Sequence, residues 1–265
     1  MLRIARELNN SETAFMFETD SPDYNIEVRF FTPTTEVPIC GHATIAAHYV
    51  RAKERNMEGG TVVQKTKAGI LPVEVVRTLS DYSITMTQGT PAVSAPFGDA
   101  VRERIADALG IAHEELCREY PVAVASTGHS KVMVPLYSNE LLHGLRPDLQ
   151  KLTKISKQIE CNGYYVFTLN PQNKILVHGR MFAPAIGIAE DPVTGNANGP
   201  LGAYLVHFNI LQEEDAPCFD FDILQGEAIK RDGTMHVHVE KEHGAPKLVQ
   251  ITGNAVIAFS TEITI

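Results

Sequence analysis

The stretch EVPICGHA, residues 36–43, sets a thiol, a glycine and an imidazole side by side at Cys40, Gly41 and His42, ahead of the apolar run ATIAAHYVRA. A glycine at a helix start lets a ligand come close to the backbone. The first turn of a helix offers unpaired N–H groups at the positive end of its dipole. Such a start suits a carboxylate or phosphate, and it suits negative charge that develops when a proton leaves a carbon beside a carboxylate. His42 there either caps the backbone or hydrogen-bonds a substrate and holds its proton. Cys40 is expected to line the pocket, with the helix start lowering its pKa.

The pattern occurs twice. Residues 29–33 read RFFTP and residues 180–184 read RMFAP; residues 36–43 read EVPICGHA and residues 190–197 read EDPVTGNA. Glu36, Pro38, Gly41 and Ala43 thus match Glu190, Pro192, Gly195 and Ala197. Each copy runs into an apolar helical pattern, at 43–52 and at 197–208. Shared order and a shared following helix argue for internal duplication: strand, loop, glycine turn, helix start. Two such starts facing each other would grip a small anion, so Gly41 and Gly195 are expected close together across one cleft. The copies differ in chemistry, because the position of Cys40 in the first is Thr194 in the second.

The elements that must position these residues are mostly strands. Runs such as YNIEVRFF, TVVQK, ILPVEVV, YSITM, PVAVAS, KVMVPL, YYVFTL, KILVHGRMF, MHVHVE, LVQIT and AVIAF are short, β-branched and often alternating. LRIAREL, FGDAVRERIADALG, AHEELC and PDLQKLTKISKQIE read as helices. The two helices after the glycine turns are apolar nearly all round and are expected to be buried. Strands around one buried helix in each half make an α+β protein built twice. At 265 residues and 44% hydrophobic, the chain can bury two sizeable cores. A net charge of −9 without a basic block argues against nucleic acid. No apolar run approaches the ~20 residues of a membrane span. MLRIARELNN lacks a secretory apolar core, and four scattered cysteines point to free thiols in the cytoplasm.

The stretches ARELNNSETAF (5–15), RFFTPTTEVPICGHAT (29–44), STGHSKVMVPL (126–136) and GRMFAPAIGIAEDPVTGNANGPLGAYLVH (179–207) closely resemble the PhzF-like isomerase family, and within it the YddE-type proteins. The resemblance runs through almost the whole chain. It implies the diaminopimelate epimerase-like fold: two pseudo-symmetric lobes, each a β-barrel-like sheet around a central helix, with the active site between them. The lobes would be 1–93, completed by a C-terminal strand at 257–265, and 94–256. It further implies a homodimer that isomerises a small anionic carboxylate by moving a proton between carbons, with no cofactor and no metal. Family members carry a further strand ahead of the first helix, with a DAF-like stretch and a Gly-Asn pair. Without it, the first lobe is expected to present an open sheet edge.

Residue by residue, Glu12 matches the family's acid/base glutamate in N-x-S-E. It opens the strand SETAFMF, half-buried, where a raised pKa would suit it to moving a carbon-bound proton. His42 matches the active-site histidine. Asp191 matches the aspartate of E-D-x-x-T-G, although an Asx-turn before Pro192 explains it as well. Asn196 stands where the family often has serine. Cys40, Gly41, Thr194, Gly195 and Asn196 would line the substrate. A two-thiol epimerase is disfavoured by Thr194, yet a two-base epimerase, or a small-anion binding protein without turnover, are the competing readings. Lys131 or His129 of TGHSK could meet an anion. His236 and His238 share a strand face in MHVHV, but with no acidic or cysteine partner visible nearby they read as a solvated face rather than a metal site.

Overall fold

The computed structural model describes residues 1–161, 163–211 and 216–262. The chain divides into two compact units, Met1–Thr87 with Thr252–Ile265, and Gln88–Ile251.

In the first unit, helix α1 (Leu2–Leu8) ends at Asn9, which takes the left-handed conformation favoured by Asn and Gly at helix ends. Strands β1 (Thr13–Glu18), β2 (Ile26–Phe31) and β3 (Glu36–Val37) lead into helix α2 (Gly41–Arg55), followed by β4 (Gly60–Thr66), β5 (Gly69–Arg77) and β6 (Tyr82–Thr87). The sheet order is β1-β2-β4-β5-β6, with β3 paired to β2. Alternation decides which face is core. Ile26, Val28 and Phe30 of β2, Val73 and Val75 of β5, and Ile84 and Met86 of β6 are buried, and α2 lays Ile45, Tyr49 and Ala52 among the buried residues. α2 is not covered all round, however. Ala46 is exposed and Ala47 and Val50 are only half-buried, because α2 packs on β1, β5 and β6 and one flank is left open.

The second unit holds β7 (Ala92–Val93), α3 (Asp99–Leu109), β8 (Ala123–Ser126), β9 (Ser130–Pro135), α4 (Asn139–Gly144), α5 (Leu149–Ile159), β10 (Tyr164–Leu169), β11 (Ile175–Ala183), β12 (Ile188–Asp191), α6 (Gly195–His207), β13 (Cys218–Gln225), β14 (Gly233–Glu242) and β15 (Ala245–Gly253) up to Ile251. Its strands run β15-β14-β13-β11-β10-β9-β8-β7, with β12 on β11. Helix α6 packs against β7, β8, β9, β13 and β14, and Ala197 through Val206 are all buried. Here the expectation of a fully enclosed helix holds. A second apolar cluster, including Ile105, Leu109, Leu152, Ile155, Tyr164 and Phe182, joins α3 and α5 to the sheet.

The boundaries differ from 93/94 and 256/257. β7 pairs with β8 and so goes with the second unit, while Thr252 goes with the first, its hydroxyl 2.6 Å from that of Thr85. Residues 254–262 form no strand, so the expected strand at 257–265 is absent from its described part; residues 263–265 lie outside the described residues. That segment has no ladder partner among the described residues, and Val256 and Phe259 are 86% and 75% exposed. AHEELC is reduced to a single 3₁₀ turn at His113–Glu115.

Each glycine turn hangs on the same device. Arg29 on β2 donates to both carboxylate oxygens of Glu36, at 2.8 and 3.1 Å. Arg180 on β11 does the same to Glu190, at 2.9 and 2.7 Å. Each guanidinium lies over the ring two residues on, 5.3 Å from the centroid of Phe31 and 5.0 Å from that of Phe182. The Arg180–Glu190 side chains are 7% and 12% exposed, against 36% and 21% for Arg29–Glu36. Removing one member of a buried pair leaves the other uncompensated, at about 3–5 kcal/mol. Glu190→Ala is therefore expected to destabilise the fold by that order in urea unfolding, and Glu36→Ala by less.

Candidate active site

Glu12 stands just ahead of β1, and His42 is in the first turn of α2. Glu12 Oε2 lies 3.1 Å from His42 Nε2, with the carboxylate side chain 15% exposed and the imidazole 36%. Ser11 Oγ is 3.3 Å from the same nitrogen, and Cys40 Sγ is 3.6 Å from it. The N-terminus of α2 has no side-chain cap; Thr44 instead spends its hydroxyl on the Cys40 carbonyl at 2.8 Å. Beside this cluster opens a cavity of ≈ 380 Å³, within the range of small-molecule sites. Asn10, Glu12, Thr13 and His42 give it a polar end, and Ala14, Met16, Ala46, Ala47 and Val50 an apolar wall. Ala46, Ala47 and Val50 of that wall are the uncovered flank of α2, and Ala14 and Met16 come from β1.

The electrostatics depart from the sequence expectation twice. Burial pushes the Glu12 carboxyl up, but the contact and charge of His42, with Ser11 and Cys40, outweigh it and hold Glu12 below its ordinary value of 4.5. A raised pKa is not what this environment produces. Burial pushes the Cys40 thiol up, Glu12 adds to the rise, and His42 only partly opposes it. The field of the helix start does not overcome desolvation, so Cys40 is a neutral thiol. Glu12, Cys40 and His42 bring their donor atoms within 4.8 Å of one another, a set that could also hold a cation.

The second glycine turn is held differently. Asp191 is buried at the end of β12 and accepts from the Thr194 hydroxyl at 2.5 Å. Gln225, at the end of β13, accepts from Thr194 N at 3.1 Å and donates to the Asp191 carbonyl at 2.8 Å. Asn198 donates to the Thr194 carbonyl and to Gln225, both at 2.9 Å, and accepts from the Tyr165 hydroxyl. Gly195 is buried and Asn196 half-buried in the uncapped first turn of α6. A Cβ on Gly195 would meet only ordinary contacts, 3.7 Å from Gln88 and 3.8 Å from Ile251, and its φ is not in the left-handed region. Packing therefore does not require glycine there.

Lys131 of TGHSK is buried, its stem so close to Gly163 that a Cβ there would stand 2.4 Å from Lys131 Cδ. Burial lowers its pKa, with Cys161 and Asp191 drawing it back up. Ser11, Asn198 and Gln225 carry parts of these arrangements that the sequence did not single out. Ser11 was legible as the neighbour of Glu12. Gln225 had only one signal, a polar residue at a core-facing position of an alternating strand.

These arrangements sit in a chain whose residues 1–261 match the model of the phenazine biosynthesis-like (PhzC–PhzF) proteins. The chain belongs to this family. It is 52% identical over 266 residues to an uncharacterized isomerase of Clostridium acetobutylicum, covering 100% of this chain and 88% of that protein. It is 30% identical over 258 residues to the trans-2,3-dihydro-3-hydroxyanthranilate isomerase of Pseudomonas fluorescens, covering 97% of this chain and 85% of that one. A crystal structure of a PhzF-family phenazine biosynthesis protein of Bacillus anthracis matches with a TM-score of 0.88 at 30% identity, over 100% of this chain and 88% of that one. The expected α+β fold is the fold observed, and the chain is an enzyme of the isomerase class, as its relatives are named. Among the described residues no helix is long and apolar enough to cross a membrane.

The state of Cys40 can be checked directly. A neutral thiol that is 5% exposed is expected to react with iodoacetamide far more slowly than free cysteine at mildly alkaline pH, the thiolate being the nucleophile. Peptide mass spectrometry would follow the modification. Rapid alkylation of Cys40 in the folded protein would show an activated thiol instead.

Proposed function

We propose that this isomerase moves a carbon-bound proton on a small carboxylate substrate without a cofactor, with Glu12 as the acid/base and His42 as its partner. The observation that carries the reading is the Glu12–His42 pair, 3.1 Å apart, at the polar end of a small cavity beside an uncapped helix start. Held below its ordinary pKa, Glu12 is ionised at neutral pH and takes the substrate proton as a base. Once protonated it returns that proton to a second carbon, while His42 steadies the charge. Helix-start N–H groups offer the substrate carboxylate a partner. By resemblance to the family we assign Asp191, Thr194, Gly195 and Asn196 to substrate binding. Gly195 supports this, since packing gives no other reason for a glycine there. An epimerase that works with two thiols loses support from Thr194, which stands in the second copy at the position of Cys40. The homodimer and cytoplasmic location belong to this proposal by resemblance.

Deuterium uptake from heavy water into trans-2,3-dihydro-3-hydroxyanthranilate, and into a panel of small carboxylates, tests it. Glu12→Gln is expected to lower exchange by about 10²–10⁴ and Cys40→Ala by a small factor. Equal losses would favour the epimerase, and binding without exchange in wild type would favour a binding protein. The pH profile follows from the sign of the shift. Base activity needs the carboxylate form, and the pKa is lowered. Activity should thus persist as pH falls to the ordinary glutamate value of 4.5 and be lost only below it. An acid limb above that value would assign the base elsewhere.

A further inference from the structure

Strands β13 and β14 are antiparallel, with Asp222 opposite His236 and Asp220 opposite His238. Residues opposite one another in such a pair point to the same face. The other face is core: Phe221, Ile223, Val237 and Val239 are buried, and Gly202 of α6 approaches so closely that a Cβ there would lie 2.8 Å from both valines. A one-residue slip would bury the charged set, so the register is fixed. The outer face therefore presents Cys218, Asp220, Asp222, His236 and His238 as a pre-arranged group.

The polar atoms within it are close enough to converge on one ion. His238 Nδ1 is 2.7 Å and His236 Nε2 3.1 Å from Asp220 Oδ1. The donor atoms of Cys218, Asp220 and His238 all lie within 4.8 Å of one another. Zinc bonds of about 2.0–2.3 Å set tetrahedral ligands roughly 3.3–3.7 Å apart, so three groups within 4.8 Å need close by no more than about 1–1.5 Å, and His236 lies beside them, 3.1 Å from Asp220. Asp222 Oδ1 sits 2.9 Å from His236 Nδ1. That leaves His236 Nε2 to ligate while Asp222 orients the ring, the carboxylate–histidine–metal arrangement of zinc proteins.

We propose that Cys218, Asp220, His236 and His238 bind a zinc-like divalent cation on the outer face of β13 and β14, with Asp222 as the positioning residue for His236. The set offers four donors of mixed S, N and O character, which selects zinc or cobalt over calcium or magnesium. Its half-exposed position gives the ion a way in. It ties two neighbouring strands and shares no residue with the set assigned to the isomerase.

The test is titration of the full chain with cobalt and zinc. One equivalent of cobalt should bring a thiolate charge-transfer band and the visible bands of tetrahedral cobalt. Cys218→Ser should remove the charge-transfer band, and His238→Gln should weaken zinc binding at least tenfold in a chelator competition. Asp222→Asn should weaken it by about 10–100-fold while the band remains. Cys40→Ser and His178→Gln control for the two other donor clusters, Glu12–Cys40–His42 and His143–His178–Glu227; neither should change the spectrum. Absence of the charge-transfer band in wild type overturns the proposal whatever the variants do. So does a band that survives Cys218→Ser and disappears with Cys40→Ser, or zinc binding lost only with His178→Gln.

Discussion

The glycine turns depend on a guanidinium–carboxylate fork. The strand after each arginine's strand is short, two residues in β3 and four in β12, and a ladder that brief cannot by itself fix the chain leading into the helix. A bidentate arginine adds two parallel hydrogen bonds and a set geometry, and the phenylalanine beneath each guanidinium fixes the plane of the fork. In the second copy Arg180 also donates to the carbonyls of Leu142 and Leu145, so the same side chain anchors the end of α4. A helix start is useful only if its N–H groups point in a constant direction. The fork supplies that constancy at both turns.

Around the first turn the same desolvation has opposite results on two neighbouring groups. Glu12 and Cys40 are both shielded, and shielding alone favours the neutral form of each. The imidazole of His42 decides between them. It stands 3.1 Å from the carboxylate and 3.6 Å from sulfur; joined by Ser11 and Cys40 it outweighs the burial cost at the carboxylate, while at the thiol burial prevails. Only one oxygen base is ionised here, and Thr194 stands in the second copy where a second thiol would be needed, which is why a pair of thiols does not fit the chain.

The duplication was legible because RFFTP…EVPICGHA and RMFAP…EDPVTGNA keep type and order, and the structure gives both copies the same arginine–glutamate pair. The burial of α6 was legible too, since an all-apolar helix has nowhere else to go. The open flank of α2 was not. Ala46, Ala47 and Val50 look like core residues in sequence, and only the number of strands packed on the helix decides their exposure. The direction of the Glu12 shift depends on a partner 30 positions away and on a balance of opposing effects, neither visible in a strand pattern. The partners of His236 and His238 were hidden because CFDFDILQ was not read as a strand. Its aspartates resemble loop residues until the alternation with Phe219, Phe221 and Ile223 is noticed, and cross-strand neighbours are set by register rather than by distance along the chain.

The two copies have kept one scaffold and divided its properties. At α6 the first turn is locked by Gln225, which reaches Thr194 N, the Thr194 hydroxyl, the Asp191 carbonyl and Asn198 at once. The side chains of that network are buried, so moving any one of them would strand polar groups away from water. At α2 the corresponding turn carries Cys40 and His42 and leans on Ser11 and Glu12, with the imidazole partly open to solvent. A turn that cannot adjust suits holding an anion in place. A turn with an exchangeable proton on half-exposed groups suits moving one. The duplicated helix start has thus diverged into a locked turn at α6 and, at α2, a partly open one lined by titratable groups.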